Sequence, residues 1–424
     1  MQLSNDQAKA VEDIQKFLNA AHREQVLTGG PGMGKSFLTA KVIEMAEEAG
    51  YDVILAATTH PAVEVLANFT GRDVTTIHKL LDLKVKTDYV TNTTHIEKII
   101  TAKGEKILEF LSWNTPTLLV VDEASYIDDE IHEYILELLE KYEQIRVLYV
   151  GDKYQLPPVD SIDPHVFHIG LTTNQLTTDH RFSSDSQMAD IVCQLRDNIE
   201  DKSYLLVPIE TGNDITVMQP KAFLDKMEEL YKSQEYADDP YYVKSLAYRN
   251  KVVDKMNNHI RDYFYDETGY HQGERLLVNS PLVRKGKVLA NNGEVVTIID
   301  FYDDEIRGVK CTTVKFRRPN GDRFVASICH QPRKKNMVRK ELADQKAWTP
   351  LYNFMESFIA VKPVYASTVH KAQGASYKNV LLNLEDLTEC QDHTLLARLL
   401  LVAVSRASEH VYVYGTVPSH LMRS

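Results

Sequence analysis

Along the first 160 residues, short apolar runs alternate with segments of helical period. Residues 26–27, 53–57, 118–121 and 147–150 are apolar, and each run is followed by a turn signal and then a helix-like stretch, the first at residues 37–46. Apolar strands of this kind, without in–out alternation, are buried on both faces, so the pattern predicts a parallel sheet covered by helices. Ligands of such sheets bind at the carboxyl ends of the strands. Residues 84–114 break the rhythm. Val85, Tyr89 and Val90 with Asn92-Thr93-Thr94 predict a small hairpin-bearing insertion, followed by a helical stretch. From about Ser183 the rhythm resumes, with a strand at 245–248 and a helix at 252–260. It breaks again across residues 273–362, where β-type runs at 295–299, 312–316 and 324–328 are separated by Gly, Asn and Asp. That region predicts a small β-rich domain inserted in a second α/β domain. A Thr/His-rich loop and helix at 367–373, a strand at 380–384, a helix at 395–407 and a strand at 411–414 complete the chain. No internal repeat and no low-complexity tract is visible.

A length of 424 residues accommodates two or three domains. With 43% apolar and 25% charged residues, the composition is that of an ordinary soluble globular protein. No run of 18 apolar residues occurs, so no membrane span is expected. The first ten residues lack the basic start and apolar stretch of a secretion signal. Cys193, Cys311, Cys329 and Cys390 stand far apart without CxxC spacing, which argues against a zinc site or disulfide framework and for a reducing compartment. The net charge of −12 disfavours a passive binder whose whole surface attracts phosphate, and leaves room for a local basic channel. Arg333, Lys334, Lys335, Arg339 and Lys340 are one candidate for it; a solvated loop is the other reading of that run.

The chemistry concentrates at the predicted strand ends. Gly29-Gly30-Pro31-Gly32-Met33-Gly34-Lys35-Ser36 fits GxxxxGK[ST], follows a strand and opens a helix, which is the context the motif requires. Its glycines let backbone N–H groups wrap a phosphate at a helix N-terminus. Lys35 can reach the β- and γ-phosphates of ATP, and Ser36 can hold Mg²⁺. At 118–121 a second apolar strand ends on Asp122-Glu123. Taken alone this is a strand ending in a solvated turn; beside a phosphate loop it supplies a Mg²⁺ ligand, Asp122, and a base for the attacking water, Glu123. Gly151-Asp152-Lys153-Tyr154-Gln155-Leu156-Pro157-Pro158 ends the next strand. Its two readings are a Pro-terminated surface turn and a γ-phosphate sensor centred on Gln155, whose amide both donates and accepts. Arg181 and Arg406 are candidate charge-neutralising arginines, a role worth about 10³–10⁵ in rate. For Arg406 the competing reading is a cap on its own helix.

With Ala57-Thr58-Thr59-His60-Pro61, Ser367-Thr368-Val369-His370-Lys371-Ala372-Gln373-Gly374 and Val402-Ala403-Val404-Ser405-Arg406-Ala407 added in that order, the chain resembles superfamily 1 helicases from Gln7 to Tyr414. Thr76-Ile77-His78 and Ala247-Tyr248-Arg249-Asn250 point to the RecD-like branch. The resemblance implies an α/β fold of two RecA-like P-loop domains, residues 1–83 with 115–182 and residues 183–272 with 363–424. It implies a pin hairpin at 84–114 and a small β-barrel at 273–362. It implies ATP between the two domains and 5′-to-3′ movement on single-stranded DNA. Gln7 matches the adenine-reading glutamine, Arg181 and Arg406 the two arginine fingers, and Gln155 the γ-phosphate sensor. Thr59, His60, His78, Thr368 and His370 fall in DNA-facing motifs, and Gln373 and Gly374 in the motif that touches both ATP and strand. The expected partners extend to forked duplex DNA and a single-strand-binding or replisome protein. The expected setting is a monomer in the cytoplasm, that of the host cell if phage-encoded, serving DNA replication or recombination.

Two rival readings remain at this stage. A translocase could strip proteins from single strands without efficient unwinding. A small-molecule phosphotransferase or ligase could use the same phosphate loop, but it leaves His60, Gln155, Gln373 and the second α/β half without a purpose.

Overall fold

A fully parallel six-stranded sheet organises the first part of the chain. In the computed structural model, which describes residues 3–88, 93–98, 115–158, 161, 163–181, 185–265 and 269–422, this sheet draws on β1 (Glu24–Thr28), β2 (Asp52–Ala57) and β3 (Val74–Thr76). An antiparallel hairpin of β4 (Leu83–Asp88) and β5 (Thr93–Lys98) intervenes. The sheet then resumes with β6 (Thr117–Asp122), β7 (Ile145–Gly151) and β8 (Thr172–Gln175), in the order β3-β2-β6-β7-β1-β8. The near-continuous apolar runs of β1, β6 and β7 are buried on both faces, as parallel strands require. Leu27, Leu118 and Leu148 pack with Phe17, Leu38, Val42 and Leu66 of the flanking helices in one core.

The second part repeats the plan. β9 (Ile215–Met218) and β10 (Val243–Ala247) join three later strands in a second all-parallel sheet. Between them come the antiparallel elements β11 (Arg275–Val278), β12 (Leu282–Arg284), β13 (Lys287–Ala290), β14 (Val295–Ile306), β15 (Val309–Arg317), β16 (Arg323–Cys329) and β17 (Val361–Pro363). Five of these form a sheet ordered β16-β15-β14-β11-β17, and β12 pairs with β13. β18 (Ala366–Thr368), β19 (Tyr377–Asn383) and β20 (Ala407–Tyr414) then complete the second parallel sheet, ordered β18-β10-β19-β20-β9. Helix His393–Ser405 lies in its core, buried at every position from Leu396 to Ser405. Asp392 caps that helix by accepting the Leu395 N–H at 3.1 Å.

By contact density the chain divides into two units: residues 1–82, 100–256 and 366–424, which hold both parallel sheets, and residues 83–99 with 257–365. Inside the second unit, fully buried Glu274 is gripped by Arg261 through two N–H···O bonds of 2.6 and 2.9 Å, and Arg318 holds Glu294 in the same forked manner. No described helix is long and apolar enough to cross a membrane.

The expected α/β class, with two parallel sheets, a hairpin and an antiparallel β-rich insertion, is the class observed. Three local expectations change. The basic run is not a loop but part of helix Pro332–Asp344, which starts on a proline in its first turn; Arg339 is buried and the Lys335 ammonium sits 4.6 Å over the Phe358 ring. The strand expected at 295–299 runs on to Ile306, because residues 300–306 find an antiparallel partner in residues 309–315. The helix expected to reach residue 407 stops at Ser405, and Ala407 opens β20 beside Tyr377. Residues 89–92 and 99–114 of the expected pin insertion lie outside the described residues.

Leu400 is fully buried in the core beneath the second sheet. Leu400→Ala is expected to destabilise the protein by about 2–5 kcal/mol, read as an earlier unfolding midpoint in urea.

Candidate nucleotide and strand site

β1 ends at Thr28, and the chain turns at once into the phosphate loop. The Gly29 N–H donates to the Gly151 carbonyl at 3.1 Å, which ties the loop to the end of β7. Gly32 (φ 86°) and Gly34 (φ 79°) adopt left-handed backbone that a side chain would disfavour, and Gly34 caps helix Lys35–Glu48. Backbone N–H groups and a helix N-terminus therefore converge on one point, a ready site for phosphate. The Lys35 ammonium folds back onto its own loop, 2.7 Å from the Gly29 carbonyl oxygen and 3.0 Å from that of Gly30. Burial pushes the Lys35 pKa down, while the charges of Asp152, Glu123 and Asp122 push it up.

β6 delivers Asp122 and Glu123 to the same edge. Glu123 has φ 51°, a left-handed conformation that costs energy for a residue with a Cβ. Its N–H donates to Asp122 Oδ1 at 2.9 Å, and Thr58 Oγ1 donates to its carbonyl at 3.0 Å, so both neighbours hold the turn. Burial, with the neighbouring Asp122 charge second, pushes the Glu123 carboxyl up to about 7. Burial also raises Asp122. Two carboxyls held against their tendency to ionise suit a divalent cation, and the Asp122 and Ser36 oxygens are the pair with the chemistry to hold Mg²⁺. Gln155 is buried with Oε1 unpartnered, and Arg406 is buried with Nε unpartnered. Buried polar atoms of this kind are uncommon; a phosphate oxygen would satisfy the Arg406 N–H, and the attacking water would satisfy the Gln155 oxygen.

The second sheet closes the cleft. Arg406 follows helix His393–Ser405 and donates to the Ala375 carbonyl at 3.0 Å and to Ser405 Oγ at 3.2 Å. Burial lowers its pKa; Glu123 and Asp152 oppose that shift. Arg181 lies against Gly32 through its Cβ and donates to the Ser405 carbonyl at 3.0 Å and Ser376 Oγ at 3.4 Å, so it bridges the phosphate loop and the second sheet's lobe. Gln373, ahead of Gly374, donates to Ser125 Oγ at 3.1 Å, and the Tyr126 hydroxyl lies 3.0 Å from Gln373 Oε1. Gln7 accepts the Ser4 N–H at 3.2 Å, donates to the Met33 carbonyl at 3.3 Å and stands 3.2 Å from His180 Nε2. It also lies so close to Gly34 that a β-carbon there would sit 2.4 Å from Gln7 Nε2. Pro31 is buried in the same loop.

The residues placed in strand-facing motifs occupy other strand ends. Thr59 follows β2, Thr368 ends β18, and each hydroxyl caps a helix by accepting a backbone N–H, from Ala62 at 3.3 Å and Lys371 at 3.4 Å. His60 opens the helix after Thr59, and His78 lies in the short helix after β3. Burial lowers the pKa of His78 and of His370, which favours their neutral forms. The His370 ring stands 6.5 Å from that of Tyr248.

Four residues of the cleft escaped the sequence reading as individual contributors. Ser125 and Tyr126 grip Gln373. Arg398 donates to the carbonyls of Lys153 and Gln155 at 2.9 and 3.1 Å and pairs with Asp163 at 2.5 Å. Arg196 reaches Asp152 at 3.4 Å. For Arg398 a signal existed: it is the one charge in the apolar run Leu395 to Val404. For Arg196 the sequence offers none.

The raised Glu123 carboxyl generates a pH prediction for metal-free, nucleotide-free protein. The folded state retains a proton that the unfolded chain releases at the ordinary glutamate pKa. Stability is therefore lost as pH rises from about 4.5 to about 7. Glu123→Gln removes this term, so at pH 8 the variant is expected to unfold at a higher temperature than the parent, with the difference vanishing near pH 4; thermal melts in chelator at the two pH values measure it.

Comparison with known proteins shows likeness in both sequence and fold. Residues 2–206 match a family model described as an AAA domain, and residues 363–414 match the UvrD-like helicase C-terminal domain. The chain is 23% identical over 458 residues to the ATP-dependent DNA helicase dda of Enterobacteria phage T4, covering 97% of this chain and 98% of that protein. It is 38% identical over 160 residues to the ATP-dependent RecD2 DNA helicase of Deinococcus radiodurans, 38% of this chain and 19% of that protein. Its fold matches the Pif1 helicase from Bacteroides, solved with ADP-AlF3 and ssDNA, with a TM-score of 0.56 at 17% identity, covering 100% of this chain and 95% of that one. The two parallel sheets are thus RecA-like domains, and by its sequence likenesses the chain is a superfamily 1B helicase of the RecD- and Dda-like kind, a DNA helicase and ATPase.

Proposed function

We propose that this protein hydrolyses ATP in the cleft between its two RecA-like lobes, moves 5′ to 3′ along single-stranded DNA and opens forked duplexes as it goes. The observation that carries the reading is convergence. One lobe contributes the phosphate loop with Lys35, Asp122 and Glu123, the second contributes Arg406, and Arg181 spans the two. Polarity rests on the likeness to the RecD- and Dda-type relatives.

In this reading Lys35 leaves the Gly29 and Gly30 carbonyls and turns to the β- and γ-phosphates. Gln7 reads the adenine. Ser36 and Asp122 would hold Mg²⁺, which would neutralise charge on the phosphate oxygens. Glu123 accepts the proton of the attacking water, and its raised pKa favours that task near neutral pH. Gln155 senses the γ-phosphate. Arg406 and Arg181 neutralise the charge that develops on it, drawing the second lobe inward. Hydrolysis removes that attraction and the cleft relaxes. Ser125 and Tyr126 pass the change to Gln373 and the 368–374 segment. Thr59, His60 and His78 on one lobe, and Thr368 and His370 on the other, hold the strand in alternation. Such contacts are to phosphates and stacked bases, so they tolerate any sequence. The setting that fits is a monomer acting in DNA replication or recombination.

Lys35→Ala is expected to lower DNA-stimulated ATP hydrolysis by about 10²-fold or more, measured by phosphate release with and without oligo-dT. Hydrolysis at the parent rate would remove the site assignment. Duplexes with a 5′ single-stranded tail should be unwound and those with a 3′ tail left intact; the opposite preference would overturn the polarity.

A further inference from the structure

Gly30 marks a place where a long side chain from the second lobe presses directly on the phosphate loop. A β-carbon built on Gly30 would fall 1.4 Å from Nη2 of Arg196, so only glycine leaves room for that guanidinium. Arg196 rides on helix Gln187–Glu200. Ile191, Val192, Leu195 and Ile199 of this helix are buried in the core of the second sheet, so the helix belongs to the second lobe. Its start is fastened by Asp214, which accepts from Ser186 Oγ at 2.5 Å and from the N–H groups of Gln187 and Met188 at 3.1 and 3.2 Å.

From that anchored helix the guanidinium enters the first lobe. Nη2 stands 3.4 Å from Asp152 Oδ2, Nη1 3.9 Å from the Met33 sulfur, and Cζ 5.8 Å from the centre of the Tyr154 ring. The side chain is 11% exposed, its partner carboxylate 1%, and Nε is buried without a partner. A separation of 3.4 Å is long for an ionic hydrogen bond, which settles near 2.7–2.9 Å. The pair is held in place but not drawn tight. Arg398, which also crosses from the second lobe to the 152–155 turn, grips backbone carbonyls instead. Its hold does not depend on any charge at the phosphate site. Arg196 differs, because Asp152 lies in the electrostatic field of Lys35. Negative charge arriving in the loop changes what this guanidinium faces.

We propose that Arg196 is a positioning residue of the nucleotide cleft, which packs on Gly30, steadies Asp152 and ties closure of the second lobe to the presence of a nucleoside triphosphate rather than a diphosphate. A third phosphate adds the charge that draws an under-coordinated guanidinium and its helix inward. A diphosphate leaves it resting on Asp152. The proposal rests on the ATPase reading of this cleft.

The test uses the full-length chain carrying Arg196→Ala, Arg196→Lys or Gly30→Ala. It measures ATPase kinetics on oligo-dT, binding of a fluorescent ADP and of a non-hydrolysable ATP analogue, and thermal unfolding. Arg196→Ala should weaken binding of the triphosphate analogue and raise the KM for ATP by about tenfold, within the usual range of coupling between linked sites, while ADP affinity holds. Arg196→Lys should recover part of that loss, since it returns the charge without the fork. Gly30→Ala should displace the guanidinium and reproduce the Arg196→Ala defect, and the double variant should be no worse than Arg196→Ala alone. Equal weakening of ADP and the triphosphate analogue, or a lower unfolding temperature with unchanged nucleotide discrimination, would show a merely structural tie and overturn the proposal. Lys35→Ala serves as the control: if it hydrolyses ATP normally, the reading of the cleft has failed, whereas an inactive Lys35→Ala beside fully discriminating Arg196 variants defeats the Arg196 proposal alone.

Discussion

Charge balance at the carboxyl ends of β1, β6 and β7 is the constraint on which the rest of this molecule depends. One ammonium, Lys35, shares a recessed space with Asp122, Glu123 and Asp152, and burial works against the charged form of each group whose pKa departs from its ordinary value. A cluster of this kind is stable only if other charges complete it. Part of that completion comes from the second lobe, as the guanidinium groups of Arg196 and Arg406. The lobes are therefore joined through the chemistry of the site itself.

The same arrangement accounts for where the backbone is unusual. Glu123 takes a left-handed conformation at the end of β6, and Gly32 and Gly34 do so in the phosphate loop. Three loop glycines are each approached by a polar side chain: Arg196 at Gly30, Arg181 at Gly32 and Gln7 at Gly34. Side chains from three separate segments of the chain converge on one short loop. Each approach is possible because the glycine has no Cβ. Close backbone approach at a phosphate site thus serves the neighbouring side chains as well as a ligand.

Much of this was visible along the chain. The phosphate loop, the Asp122-Glu123 pair and the Gln155 turn are local signals, since each needs only a strand end and a few consecutive residues. The parallel sheets followed from apolar runs of period-free character. The basic run at 333–340 was harder, because charge content suggested solvent while Leu342 and the buried Arg339 follow a helical spacing that pays off only when packed. Residues 300–306 lay beyond the strand expected at 295–299, yet they continue β14 because the returning strand offers them partners.

What the sequence by itself determined is the set of short-range features: which segments are buried strands, where a backbone cradle for phosphate forms, and which carboxylates lie next to it. These depend on consecutive residues and on the period of apolar positions, so no distant contact is needed to specify them. Only the tertiary structure decided which arginines face the cleft. Arg181 and Arg406 were matched only through family motifs and Arg398 is a lone charge in an apolar run, while Arg196 sits in a segment of ordinary composition. Their work depends on the direction each side chain takes after helices and sheets from distant parts of the chain have packed, and that direction leaves no mark on local spacing.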